Sequence, residues 1–456
     1  MAHMERERIL IITHSYTPFL NPRAYRWSAV CEHWVIEGKQ VDVIASWLPG
    51  LRRFEILNGV EVHRVGGSIL ERLRAILRPK SRSTVEINGE AIERRSRNII
   101  KVIGRWVFGV VKYIHDKVWK NLYWPDYACS WIAPAVSKGL ELCEMIKYST
   151  VISVSDPFSS HIAGKKIKRN DPDIKWLVDI GDPFCFRHDN PTNNHNLYRK
   201  LNYRKEHQIF ELADCISVTT ENTRKKYAEL FSGMGRKIKV IPPLMTVFSP
   251  NISDDKILSP NKKIKLVYVG TLYRSIRNPE YLLNLFEVLA SIPGHDNVEL
   301  HFFGGFDDCR DVFEKYRYLF GQKLFLHGLV NRSKVMQAMK EADILVNIGN
   351  NNPYQLPSKL VEYVTMEKPI LNLHTIDSDS SKEFLDGYPA LLNLHTCPSN
   401  SIYDQAHELG GFIKSIPIEI DDNFKTVWRG KFGIEQIASE YFSLLQQRQS
   451  ETAVTQ

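Results

Sequence analysis

The sequence predicts an α/β chain built from two doubly wound, mostly parallel sheets. Two observations carry that reading. Short β-branched apolar runs alternate with stretches of helical spacing, the order that lays parallel strands between covering helices. The pattern also runs to a strand ending in Pro242-Pro243, breaks in a Pro/Ser/Asn/Asp-rich stretch, and then restarts.

The first series opens with RILIIT at 8–13, followed by a helical pattern at 23–38. Further strands are expected at 40–46 (QVDVIAS), 60–65, 148–155 (YSTVISVS), 175–179 (KWLVD), 215–219 (CISVT) and 239–241. The second series has IKLVYV at 264–269, closed by Gly270, then 297–303 (NVELHFF), 324–326, 344–347 and 369–373. The expected organisation is a Rossmann-like domain at 4–245, a linker at 246–262 and a second Rossmann-like domain at 263–432. A helix at 433–448 packs back on the first domain, and a tail follows at 449–456. Such sheets bind ligands outside the carboxyl ends of their strands, so two domains offer two facing crevices, a geometry suited to group transfer.

Composition narrows the class. The 456 residues are 43% hydrophobic and 25% charged, ordinary for a soluble globular protein. No run of 18 apolar residues suggests a spanning helix, and the opening residues lack the apolar centre of a signal peptide. Met1-Ala2-His3-Met4 reads as an expression scar, with Met4 the native start. The seven cysteines form no CxxC pair, which points to reduced thiols in a cytoplasmic enzyme.

The net charge of +8 is local. Residues 71–120 hold thirteen Lys/Arg against five Asp/Glu, equal to the whole excess. Within an insertion at about 70–125, Ile99, Ile103, Trp106, Val107, Val110, Ile114 and Val118 have helical spacing, interleaved with Arg97, Lys101, Arg105 and Lys112. Two readings stand: a surface helix packed on its own domain, or a segment at 94–120 that meets an anionic membrane or acceptor, with Trp106, Trp119 and Trp124 near the interface. No recognition motif accompanies the basic block, so nucleic acid is not an expected partner.

The motifs RILIITHSYTPFLNPRAYRW, VISVSDPFSSHIAG, VIPP, YVGTLYRSIRNPEYLL, LHGLV, ADILVNIG and PSKLVEY…KPIL follow one another in this order. In that order the chain resembles the GT-B glycosyltransferases, closest to the retaining family 4 enzymes of bacterial surface-polysaccharide (capsule and O-antigen) assembly. The resemblance covers nearly everything but the basic insertion. It implies two Rossmann-like domains facing a central cleft, with the C-terminal helix crossing back to the first.

It also implies roles for residues. In the second domain a basic residue after Gly270 grips the donor diphosphate, and Arg277 and Arg274 are the candidates; the alternative is two surface arginines in a loop. Ser358, Lys359 and Leu360 open a helix whose N-terminus suits a phosphate, with Ser358 read as an N-cap or first-turn residue. Glu362 matches the glutamate that bonds the ribose hydroxyls. The partner glutamate of that motif is replaced by Tyr354, which leaves Lys359 or Gln355 as sugar contacts. Gly304-Gly305 and the turn at His327-Gly328-Leu329-Val330 lie where the base and phosphate bind; an ordinary tight turn explains the glycine pair equally well.

In the first domain His14, Asn21 and Arg23 follow the first strand and are cleft candidates, with structural roles as the alternative. Asp156, His161 and Asp182 follow two later strands. They are candidates to position the acceptor hydroxyl or take its proton; the alternative for His161 is a helix residue satisfying a backbone carbonyl.

The expected activity is transfer of a sugar from a nucleotide-diphosphate sugar to a glycan or lipid-linked acceptor, with retention and with no metal or other cofactor. The expected location is cytoplasmic, peripheral on the inner face of the plasma membrane. Two rivals are a GT-B sugar-nucleotide epimerase or hydrolase, and a non-catalytic nucleotide-sugar-binding scaffold recruited to the membrane.

Overall fold

The computed structural model describes residues 7–19, 21–67, 86–87, 90–91, 122–187, 191–245, 256–397 and 399–446. The basic segment at 94–120, most of the insertion around it, residues 246–255 of the expected linker and the tail at 449–456 lie outside the described residues. The chain divides into two compact units, one running to Pro242 and resuming at Ile434, the other Pro243–Gly433.

The first unit holds β1 (Arg8–Thr13), β2 (Gln40–Ser46), β3 (Phe54–Leu57), β4 (Val60–Val65), the two-residue strands β5 (Glu86–Ile87) and β6 (Glu90–Ala91), β7 (Thr150–Val154), β8 (Lys175–Ile180), β9 (Cys215–Val218) and β10 (Ile238–Val240). Among the described residues β5 and β6 pair only with each other. The other eight form one sheet in the order β10-β9-β8-β7-β1-β2-β4-β3, parallel except for β3, which runs antiparallel to β4. Central strands are buried on both faces, as their unbroken apolar runs require, whereas the edge strand β3 alternates exposed and half-buried residues. Helix Pro22–Ile36 packs against helix Ile434–Gln446: Trp34 Nε1 donates to the Ala438 carbonyl (3.3 Å), and the Trp27 and Tyr441 rings lie 4.8 Å apart. On the other face, helix Ile132–Met145 sits against helix Ser159–Asn170 at Gly139, where a Cβ would stand 2.3 Å from Ile167.

The second unit holds β11 (Ile264–Val269), β12 (Val298–Phe303), β13 (Leu324–Gly328), β14 (Ile344–Ile348), β15 (Ile370–His374) and β16 (Leu391–His395). All are parallel, in the order β13-β12-β11-β14-β15-β16. That is the Rossmann order, with its switch point between β11 and β14. Alternation along β11 divides the core. Leu266 and Tyr268 join Leu283, Phe286 and Leu289 on one face, and Val267 and Val269 join Met339, Tyr363 and Trp428 on the other. Across β14, β15 and β16 the register aligns Asn347, Asn372 and Asn393, whose amides bond one to the next at 2.7 Å each. Strand β16 escaped the sequence reading; it is the edge strand of this sheet, and its central Asn393 is exposed. Residues 256–262, expected in the linker, belong to this unit. The backbone N–H groups of Ile257 and Leu258 donate to the Glu341 carboxylate, and Leu258 is buried.

At the switch point β11 and β14 pair only as far as Tyr268 and Val346. Beyond it the Tyr363 hydroxyl fills the gap, accepting from the Val269 N–H (2.8 Å) and donating to the Val346 carbonyl (3.1 Å). Tyr363→Phe would leave that buried N–H without a partner, a cost of about 1–3 kcal/mol. The expected result is a lower thermal midpoint with an unchanged far-UV spectrum; an unaltered midpoint would show that the hydroxyl is dispensable.

Candidate functional site

In the first unit the switch point lies between β1 and β7, and the loops after β1, β7 and β8 converge there. Asp179, at the end of β8, is the buried centre. Its Oδ2 accepts from Arg23 Nη1 (2.9 Å) and Trp27 Nε1 (2.8 Å), and its Oδ1 from Ser217 Oγ (2.7 Å) and Tyr441 Oη (2.8 Å). Burial pushes the Asp179 carboxyl up, but the charges of Arg23 and Arg26 and the bonds from Ser217 and Trp27 outweigh it and hold the group below the usual range. Arg23 reaches Asp179 across Gly181, where any Cβ would lie 2.2 Å from its guanidinium, and also donates to Thr219 Oγ1 (3.3 Å). Arg23 is therefore engaged within the fold rather than offered to a ligand.

Asn21 caps helix Pro22–Ile36, accepting from the Ala24 N–H at 2.9 Å, with Pro22 in the first turn. His14 packs edge-on against Tyr127 and Trp131, at 5.5 and 5.3 Å. His161 is 1% exposed, with Nδ1 2.8 Å from Ser153 Oγ, which also accepts from Trp176 Nε1 (2.9 Å). An imidazole so enclosed cannot meet an acceptor hydroxyl, so the candidate base is a core residue of helix Ser159–Asn170. Its partner is a serine hydroxyl rather than the backbone carbonyl considered above.

Asp156 and Asp182 do come together, through a residue the sequence reading missed. Arg187 Nη1 lies 3.2 Å from Asp182 Oδ2 and 3.7 Å from Asp156 Oδ2. The carboxylates are 42% and 36% exposed, while the guanidinium between them is largely buried. The loop carrying Arg187 is anchored residue by residue. Phe184 stacks on Phe158 at 3.8 Å, the Cys185 N–H donates to buried Glu206 (2.9 Å), and Phe186 packs on Tyr227, which also donates to Glu206 (2.6 Å). Asp126 secures the neighbouring helix, accepting from the Ser159 N–H (2.9 Å) and hydroxyl (2.7 Å). Burial pushes its carboxyl up to about 6, with the Ser159 bond opposing and the charge of Asp156 adding to the rise. Trp124 belongs to the same structure: its indole N–H donates to Asn202 Oδ1 (2.9 Å), so it packs on its own unit.

In the second unit the strand ends are closed by glycines. Gly270 and Gly304 have φ of +144° and +136°, and a Cβ on Gly304 would stand 2.1 Å from the Gly270 carbonyl oxygen. The close approach made by Gly304-Gly305 is thus to the Gly270 turn. Arg277 Nε donates to Asn350 Oδ1 (2.6 Å), and Asn350 in turn donates to the Gln355 carbonyl (2.7 Å). This holds a guanidinium beside the ends of β11 and β14. Arg274 points elsewhere, to the exposed carboxylate of Asp311.

The helix Lys359–Thr365 has seven residues. Ser358 has helical dihedrals and makes no capping bond, so it is not an N-cap, and Leu360 is buried in the core. Glu362 binds two cations, Lys359 Nζ and Arg332 Nη2, each at 3.1 Å. Arg332 had no signal in the sequence. It opens helix Arg332–Glu341, which Asn331 caps, three residues beyond the exposed Leu329. Tyr354 lies in a turn organised by Asn352, whose Oδ1 accepts from the Tyr354 and Gln355 N–H groups (3.1 Å each).

Solved structures match almost the whole chain. The E. coli trehalose-6-phosphate structure bound with UDP-2-fluoro glucose has a TM-score of 0.61 at 11% identity, covering 97% of this chain and 99% of that one. The apo lipopolysaccharide outer core galactosyltransferase WaaB gives 0.57 at 11%, over 97% and 99%. A glycosyltransferase from Rickettsia africae gives 0.55 at 10%, over 97% and 98%. The chain has the GT-B fold. No protein-family model matches it, and no curated protein does.

Within this GT-B chain the residues missed by the sequence reading, Arg187 and Arg332, share one property. Each has a partner that only packing supplies, Asp156 for Arg187 and Glu362 for Arg332, so no local pattern marks it.

His161 makes the first unit sensitive to acid. Burial lowers its imidazole to about 3. Between about pH 6.5 and 3 the unfolded chain takes up a proton that the folded chain refuses, so this contribution is complete above pH 6.5 and is lost as pH falls. Asp126 acts in the opposite sense, because its raised pKa favours the folded state as pH drops through about 6. His161→Phe should therefore lose stability less steeply than wild type between pH 6.5 and 4, read from urea midpoints; parallel curves would contradict the assignment.

Proposed function

We propose that this GT-B protein transfers a sugar from a nucleoside-diphosphate sugar to a hydroxyl of a glycan or lipid-linked acceptor, without a metal in the chemistry. The observation that carries the reading is a pair of groupings in the second unit: Asn350 holds Arg277 beside the ends of β11 and β14, and Glu362 holds Lys359 and Arg332. A diphosphate that leaves in the reaction needs fixed positive charge where its own charge develops. A guanidinium held by Asn350 supplies it, because its fork matches phosphate oxygens. Glu362 already binds two cations, yet a carboxylate has about four acceptor positions, so it can still take hydroxyl donors from a ribose.

The first unit supplies the acceptor side of this reading. Exposed Asp156 and Asp182 can accept from a sugar hydroxyl, and Arg187 holds both in place. Retention follows if the leaving phosphate takes the acceptor proton and these carboxylates only orient it. A role in bacterial surface-polysaccharide assembly, with hexose as the transferred group, is supported by the likeness to a lipopolysaccharide galactosyltransferase. Among the described residues no helix is long and apolar enough to cross a membrane, so an anionic surface would be met by the basic segment at 94–120.

Thermal-shift screening against UDP, GDP, CMP and ADP should show one stabilising nucleotide, with the shift reduced in Arg277→Ala and Glu362→Ala. No shift with any nucleotide would sink the proposal. Arg187→Ala should keep the nucleotide shift and lower sugar transfer on the order of a hundredfold. Loss of the shift instead would move Arg187 to the donor side.

A further inference from the structure

Away from both strand-end sites, three polar side chains meet near the opposite end of the first sheet. Asp42 and Glu61 are register partners on β2 and β4, and His63 lies two residues along β4 on the same face. One ligating atom from each falls within 4.8 Å of the others. Asp42 is 5% exposed and His63 is 9% exposed, yet Asp42 Oδ1 and His63 Nε2 have no hydrogen-bond partner. They stand 3.6 Å apart, beyond hydrogen-bond distance. The hydroxyl of buried Tyr148 is also without a partner. It faces Asp42: burial, followed by the charge of Asp42, raises its phenol pKa and keeps it protonated.

Buried polar atoms are nearly always satisfied, so an unpartnered carboxylate oxygen and imidazole nitrogen aimed at one point call for a ligand. Two ligands on a tetrahedral zinc with bonds of about 2.0–2.1 Å are about 3.3 Å apart, close to the observed separation. We propose that Asp42, Glu61 and His63 bind a zinc ion, with water as the fourth ligand. An imidazole in the set favours zinc over magnesium or calcium, which take oxygen ligands. Tyr148 is placed to donate to the Asp42 carboxylate and fix its orientation. The ion would tie β4 to β2 beside the antiparallel edge strand β3. Its role is structural and separate from sugar transfer, so the expectation that no metal serves the chemistry is unaffected.

The test is calorimetric titration of the chelator-treated full chain with zinc chloride, with magnesium chloride in parallel. Cobalt(II) serves as a visible probe of four-coordination. The expected result is one zinc site, no magnesium heat, and cobalt bands that mark tetrahedral geometry. Glu61 is exposed, so Glu61→Gln should keep the metal-free thermal midpoint and weaken zinc at least about tenfold. His63→Gln should abolish the site and the cobalt spectrum. Absence of saturable zinc binding overturns the proposal. So does binding that neither variant alters, or binding that His63→Gln alone removes.

Discussion

The Asp179 carboxylate accepts from Arg23, Trp27, Ser217 and Tyr441, side chains of the first helix, a neighbouring strand and the last described helix. An ionised carboxylate is stable under the surface only when it is paired and its lone pairs are filled, and each of these four donors does part of that. One group thereby couples the end of β8 to the first helix and brings residues 434–446 into the first unit, although the whole second unit intervenes in the chain. It also explains Gly181, whose missing side chain is the passage for Arg23. The loop that follows Gly181 carries Asp182 and Arg187, so the candidate acceptor residues inherit their position from this buried pairing.

The second unit solves the same problem with a neutral group. Where β11 and β14 part, backbone donors and acceptors lose their ladder partners, and the Tyr363 hydroxyl replaces them. Tyr363 follows Glu362 on the same short helix. Satisfying the backbone and placing the glutamate that holds Arg332 and Lys359 are one act of packing. The order of strands creates the gap, and the gap decides where the polar residues gather.

Much of this was legible in the chain. Apolar runs such as RILIIT and IKLVYV, short and β-branched, read as strands buried on both faces, and their alternation with helical spacing implies parallel sheets. Arg277 and Glu362 could be picked out because the motifs around them resemble a known order. Asp156 and Asp182 could be picked out because they follow strands. His161 could not be assigned, because a histidine one turn into a helix looks the same whether it faces solvent or core. Ser358 could be read only as an N-cap or a first-turn residue; its helical dihedrals and lack of a capping bond fit the second.

Sequence by itself determined the two sheets and most of their strands, because hydrophobic period and chain order are local properties. Tertiary structure alone decided which charges pair. Arg23 turned from ligand candidate to partner of Asp179, and Arg187 and Arg332 entered the sites. Asp42 Oδ1 and His63 Nε2 were left facing one another without hydrogen-bond partners. The physical reason is the short reach of hydrogen bonds and ion pairs. They depend on separations of a few ångströms between residues that chain order alone does not bring together, and only packing sets those separations.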